Sequence, residues 1–342
     1  MTACRQLFDD YPGWLSYTLA YPAQAPAGRT TELPGGGRIE LLGVGLLRLV
    51  PPRAITGRRL IVSAGIHGNE TAPIEVLDRL VDEVLNGHWT PAIDTLLILG
   101  NPPAMVAGRR FLDHNLNRLF NGAHQQPGYA GSPESVRAAL LEQTCELFAR
   151  EATAVVHYDL HTAIRPSKRE KFALYPYVPD RQAPVEQIRF LAAADVHTLL
   201  LQHKPGTTFS AFSASQLKAE SMTIELGQAR PFGQNDLSRF AGIENSLRRL
   251  IADQDPGRDA RAETVAVFEV VEEIINTGAH FRFHVPDDVA NFTEYPPGEL
   301  IWEDDQQQYR VGDQPEAIVF PNREVPVGHR VGLLVRRRQT GA

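Results

Sequence analysis

The sequence predicts an α/β protein, a mixed or mainly parallel sheet with helices on both faces, followed by a smaller C-terminal all-β domain. Two observations carry this expectation. From about residue 58 to residue 253, continuous apolar runs alternate with stretches of helical spacing, the pattern of strands linked by crossover helices. Near Thr264 the pattern changes to short apolar runs separated by proline and glycine turns. The length agrees: 342 residues, 43% of them hydrophobic, are enough for one large domain and a smaller one without stabilising cross-links. The two domains are assigned to residues 1–256 and 257–342.

Taken in order, residues 1–40 mix aromatic and proline-rich pieces and end in Leu33-Pro-Gly-Gly-Gly-Arg38, a turn cluster suited to a hairpin. Ile39 to Val50 reads as one or two strands. Leu60 to Ile66 is a buried strand, after which Ile74, Leu77, Leu80, Val81 and Val84 recur at helical spacing until Gly87 supplies a stop. Asp94 to Gly100 is a further strand, halted by Asn101-Pro-Pro103 because proline cannot extend a central ladder. Arg109 to Phe120 interleaves charges and amides with apolar anchors without a clean period, and reads as a packed loop. Ser132 as N-cap, Pro133 at the first helical position and Glu134 beside the positive end open a helix that runs to about Arg150.

Ala154 to Leu160 is again a strand, and its end delivers Asp159, His161 and Thr162. Strands at Lys171–Val178 and Thr198–Gln202 flank a helix from about Val185 to Ala194. Ser221 to Leu226 is one more strand, and Leu237 to Asp253 an amphipathic helix. Asp255-Pro-Gly-Arg-Asp259 reads as the linker. Beyond it, the runs beginning at Val265, His280, Glu299, Ala317 and Arg330 are read as the short strands of the β domain.

Composition narrows the partners. A formal charge of -7 argues against nucleic acid, and the basic run Arg336 to Arg338 reads as a solvated tail. Cys4 and Cys145 are too few for a disulfide framework and favour a reducing compartment. The first residues carry acids and a proline where a signal peptide needs an apolar stretch, and no span approaches the ~20 apolar residues of a membrane helix. A cytoplasmic chain without membrane contact is the expectation, with homo-oligomerisation left open.

Three strand ends offer chemistry. His67 lies where a strand ends and Glu70 where a helix begins, at the edge of an open α/β sheet where ligands bind. His161 and Glu225 end two further strands on that same edge. Two imidazoles and a carboxylate form the ligand set of hydrolytic zinc centres, and a strand that is apolar up to an acid can hold a base rigidly beside a metal. Each residue alone has a plainer account: His67 and His161 as satisfied histidines, Glu70 as a first-turn acid, Glu225 as an ion-pair partner of Arg230. Asp159 is either an orienting partner of His161 or structural. Arg109, Arg110, Asn117 and Arg118 share one loop, and guanidinium groups grip carboxylates in two-point fashion, so a loop facing the site would select an anion.

Together, Gly65-Ile-His-Gly-Asn-Glu70, Asn101-Pro-Pro-Ala104, Asn115-Leu-Asn-Arg-Leu-Phe120, Asp159-Leu-His-Thr162 and Thr223-Ile-Glu-Leu-Gly227 resemble the aspartoacylase and succinylglutamate desuccinylase family of zinc-carboxypeptidase-like hydrolases. The resemblance runs from about residue 60 to 235. It implies one Zn2+ per chain held by His67, Glu70 and His161, Glu225 as the catalytic carboxylate, Arg110 at the oxyanion, and Asn117 and Arg118 on the substrate. Phe209-Ser-Ala-Phe-Ser213 and Gln228-Ala-Arg-Pro-Phe-Gly233 favour the desuccinylase branch. That branch releases succinate and glutamate from N-succinyl-L-glutamate in arginine catabolism. Two departures stand out: Asn115 replaces an acid of the aspartoacylases, and their C-terminal substrate-binding tyrosine has no match, the region near Val325 being aliphatic. An aspartoacylase-like or other N-acyl-amino-acid deacylase is the alternative among enzymes. A zinc-holding binding protein is the alternative outside them, and cobalt or manganese would suit the same ligands.

Overall fold

The structure is a computed structural model and describes residues 7–23, 28–53 and 57–338. The large sheet is built around four parallel strands in the order β5 (Asp94–Leu99), β4 (Arg58–Ala64), β6 (Ala154–Ala163) and β9 (Glu220–Gln228). On the β5 side it is extended by an antiparallel meander, β1 (Arg29–Glu32), β2 (Arg38–Gly43) and β3 (Leu46–Val50), with the glycine-rich turn between β1 and β2 as expected. On the β9 side follow β7 (Phe172–Tyr175), β8 (Thr198–Leu201) and β10 (Ala266–Ile275). The predicted α/β class, a mixed sheet flanked by helices with a C-terminal β domain, is what the chain adopts.

Alternate residues of β4 explain why that strand reads as continuously apolar. Leu60, Val62 and Ala64 face one buried cluster with helix α2 (Thr71–Leu85), whose Ile74, Leu77, Leu80, Val81 and Val84 are the residues picked out by spacing. Ile61 faces the opposite cluster with helix α4 (Pro133–Ala149) and helix α6 (Phe209–Gln216). A strand covered on both faces reads as nearly continuous apolar sequence, here interrupted from Leu60 to Ala64 only by the buried Ser63.

Three helices were not anticipated: α1 (Trp14–Ala20), α3 (Pro102–Val106) and α6. In α3 the prolines that stop β5 sit at the first helical positions, where their missing N–H is not needed, and the Asn101 side chain accepts from Ala104 N. The expected helix from Leu237 is split into a 3-10 turn, Leu237–Phe240, and α7 (Ala241–Ile251), while α5 (Val185–Ala193) matches its expected span.

The expected linker is no free tether: Pro256 and Gly257 are buried, the latter against Arg189 and Phe190 of α5. From there β10 joins the large sheet, parallel to β8, and pairs on its other edge with the final strand. The C-terminal strands are β11 (Arg282–Phe283), β12 (Thr293–Tyr295), β13 (Leu300–Glu303), β14 (Gln308–Arg310), β15 (Glu316–Val319) and β16 (Arg330–Arg337). They have a core of their own around Ile274, Ile301, Trp302 and Leu334, and share a second one with Phe172 and Leu200. Among the described residues no helix is long and apolar enough to cross a membrane.

Candidate metal centre

The parallel register assembles the site. Ser63 lies opposite Asp159 across β4 and β6, and His161 opposite Glu225 across β6 and β9, so the ends of three adjacent strands present their side chains together. After β4 the chain turns through Gly65, at φ +68°, and Gly68. A Cβ on Gly68 would lie 2.2 Å from the Ala104 carbonyl carbon of α3, so only glycine allows the turn to pack there. Glu70 is the N-cap residue of α2, and its carboxylate points inward to the rings.

His67 Nδ1 lies 2.7 Å from Glu70 Oε1, and His161 Nδ1 lies 2.9 Å from Glu70 Oε2. All three residues are buried, and their ligand atoms fall within 4.8 Å of one another. The far nitrogen of each ring has its own acceptor: Asn115 Oδ1 at 2.9 Å from His67 Nε2, and Asp159 Oδ2 at 2.9 Å from His161 Nε2. With Nε2 of each ring held by its own acceptor, both Nδ1 atoms lie on the Glu70 side, where each would give its lone pair to a metal ion bound between them. Asn115, the residue noted as departing from the aspartoacylase pattern, thus supplies an oxygen acceptor to His67. The donor set and the orientation of both rings fit a divalent metal ion.

Electrostatics separates the acids. Burial works against the charge of Glu70, yet the adjacent His67 and His161 outweigh it and hold this carboxyl well below the usual range. Asp159 is likewise kept low, burial being overcome by His161, His157 and the Ser63 hydroxyl. Burial lowers the His67 pKa, whereas His161, flanked by Asp159 and Glu70, is raised despite its burial. Glu225 goes the other way. Burial first, then the charges of Glu70 and Asp159, push it up to about 7 against the opposing pull of His161 and Arg110. Its Oε2 is sealed from solvent and has no hydrogen-bond partner, and the alternative pairing with Arg230 is not formed. A carboxylate poised near neutrality with a vacant oxygen is equipped to move a proton.

The arginine loop is anchored by Glu134, a buried residue of α4 whose oxygens accept the backbone N–H groups of Leu112, Asp113 and His114. Arg110 Nη1 reaches Glu70 Oε1 at 2.6 Å, which places a guanidinium beside the two rings. Asn117 is buried, and its Oδ1 accepts from Phe209 N at 2.9 Å, so that side chain also ties the loop to α6. Arg118 is exposed and lies in the electric field of Arg330 and Arg110; it forms no ion pair among the described residues. Arg109 turns to the Leu112 carbonyl at the surface, apart from the site. Arg330, at the start of β16, was not singled out from the sequence, because only the folding of β16 back toward the loop brings it near Arg118.

Comparison with known proteins identifies the family. Residues 56–251 match the succinylglutamate desuccinylase/aspartoacylase catalytic domain, and residues 263–338 match the AstE/AspA barrel-sandwich hybrid domain. The chain is 40% identical over 339 residues to a succinylglutamate desuccinylase of Shewanella woodyi, covering 98% of each. It is 44% identical over 325 residues to one of Pseudomonas aeruginosa, covering 94% of this chain and 96% of the relative. The crystal structure of the succinylglutamate desuccinylase from Chromobacterium violaceum superposes with a TM-score of 0.86 at 35% identity, covering 97% of this chain and 99% of that one. With its sheet, its C-terminal β domain and its buried His-Glu-His group, the chain belongs to the succinylglutamate desuccinylase/aspartoacylase family.

Proposed function

We propose that this chain is a zinc-dependent amide hydrolase that splits N-succinyl-L-glutamate into succinate and L-glutamate, the step its resemblance places in arginine catabolism. The observation that carries this reading is the convergence of His67, Glu70 and His161 with the unpartnered Oε2 of Glu225 at one sheet edge. One Zn2+ held by the three ligands supplies Lewis acidity toward the amide carbonyl and a water acidified toward neutral pH. Glu225 takes the proton of the attacking water and returns it to the departing amine of glutamate. Arg110, fixed against Glu70, stabilises the negative charge that develops on the carbonyl oxygen. Arg118 takes a substrate carboxylate, with Asn117 beside it, and this holds the scissile carbon in register with the base.

The free thiol of Cys145, buried in the core, suits a reducing compartment, and we place the protein in the cytoplasm. The direct test compares amine release from N-succinylglutamate and N-acetylaspartate, each with and without a chelator. Faster release from N-succinylglutamate, abolished by the chelator, is the expected result. Preference for N-acetylaspartate, or chelator-resistant turnover, overturns the assignment.

A further inference from the structure

Beneath the candidate metal centre a polar seam runs through the core. Ser63 of β4, His157 and Asp159 of β6 and Ser213 of α6 are all fully buried. Asp159 Oδ1 lies 2.6 Å from Ser63 Oγ, Ser63 Oγ lies 2.8 Å from His157 Nε2, and His157 Nδ1 lies 2.7 Å from Ser213 Oγ. Because His157, Asp159 and His161 alternate along one strand, they share a face and continue the seam to the metal ligand.

The direction of every bond follows from one end. An ionised carboxylate only accepts, so the single Ser63 proton goes to Asp159 Oδ1. Ser63 then has only lone pairs for His157, which must carry its proton on Nε2. His157 Nδ1 is therefore an acceptor, and Ser213 must donate to it. Burial, ahead of the opposed charges of Asp159 and His161, lowers the His157 pKa to about 4, so the ring is neutral at pH 7. Asp159 thus receives a donor on each oxygen, Ser63 on one and His161 on the other, and cannot rotate without breaking one.

We propose that Ser213, His157 and Ser63 form a one-way hydrogen-bond chain that locks Asp159, and through it holds the His161 ring with Nε2 on Asp159 and Nδ1 turned to Glu70 and the metal site. These are positioning residues: none touches the metal or the substrate. An apolar filling of the same volume would pack without the demand that every polar atom be satisfied, so a purely structural seam has no need of this order. The inference rests on the zinc reading above, but the His157 tautomer is measured without metal and so tests the chain separately.

The experiment has two arms on the full chain. Imidazole 15N NMR of the metal-free and zinc-loaded protein is expected to show His157 protonated on Nε2 only, and an Nδ1–H tautomer overturns the proposal. Zinc affinity by chelator competition is expected to fall about 10- to 100-fold in Ser63→Ala and His157→Leu, and to return to within about 3-fold of wild type in His157→Gln, which keeps a donor toward Ser63. If His157→Leu does not fold, Ser213→Ala replaces it, with a smaller loss of affinity in the same direction. Unchanged zinc affinity in Ser63→Ala, or His157→Gln as weak as His157→Leu, overturns the proposal even where unfolding temperatures change.

Discussion

Replacing Glu225 by glutamine should stabilise the metal-free protein while removing its turnover. The carboxyl is raised from its ordinary 4.5 to about 7 by burial and by the neighbouring acids. In the window between those values the folded state holds a proton that the unfolded state has released, so stability falls as pH rises through it. Below 4.5 both states are protonated and nothing is lost; above 7 the folded protein carries the full cost of ionising this part-buried carboxyl beside Glu70 and Asp159. At ~1.36 kcal/mol per pH unit the rise corresponds to about 3 kcal/mol. The Glu225→Gln variant removes the charge at nearly constant shape, so its advantage over wild type should be about 3 kcal/mol at pH 8 and vanish near pH 4. Urea unfolding of the chelated proteins at both pH values measures this. In the loaded enzyme the cation offsets the cost, and there the variant should keep its metal and lose on the order of 10²–10⁴ in turnover, the span of general base catalysis. Equal stability of variant and wild type at pH 8 would refute the claim that the fold holds this acid in a hostile setting, and near-normal turnover would remove it as the base.

Two further substitutions probe the surroundings. Arg118→Ala removes an exposed guanidinium that has no internal carboxylate to serve, so kcat/KM for N-succinylglutamate should fall about 10- to 100-fold, the worth of a charge-assisted contact, with little change in melting temperature. An equal loss on a neutral amide would show that the residue does not anchor a carboxylate. Gly68→Ala drives a methyl into the backbone of α3 and should cost ~1–3 kcal/mol of stability while lowering metal affinity through displacement of His67; wild-type affinity would mean that the turn tolerates the shift.

What could be read without the structure was whatever local pattern determines. The strands ending near His67, His161 and Glu225 are buried along nearly their whole length, and all five residues that spacing picks out in α2 lie in its buried stripe, which also takes in Val76 and Leu85. Helix α6 escaped because Phe209-Ser-Ala-Phe-Ser213 has no one-sided period: the serines as well as the phenylalanines are buried, Ser213 in the polar seam and Ser210 against Thr223 of β9. The partnerships of Asn115 with His67 and of Ser63 with Asp159 join residues far apart in the chain, so spacing carries no trace of them. The same holds for the parallel pairing of β8 with β10, which joins the C-terminal strands to the central sheet, and for Arg330. Asp159 was left between an orienting and a structural role, and the 2.9 Å contact with His161 Nε2 settles where its side chain goes.

One metal ion held by His67, Glu70 and His161 should account for all hydrolysis of N-succinylglutamate by this chain. The most direct measurement is glutamate release by the chelated protein as zinc is added back, followed beside a His161→Ala control. Activity should be absent at the start, rise with zinc and level off at one ion per chain, with the control inactive throughout. Full glutamate release from the chelated protein, or a control that recovers with zinc, would contradict it.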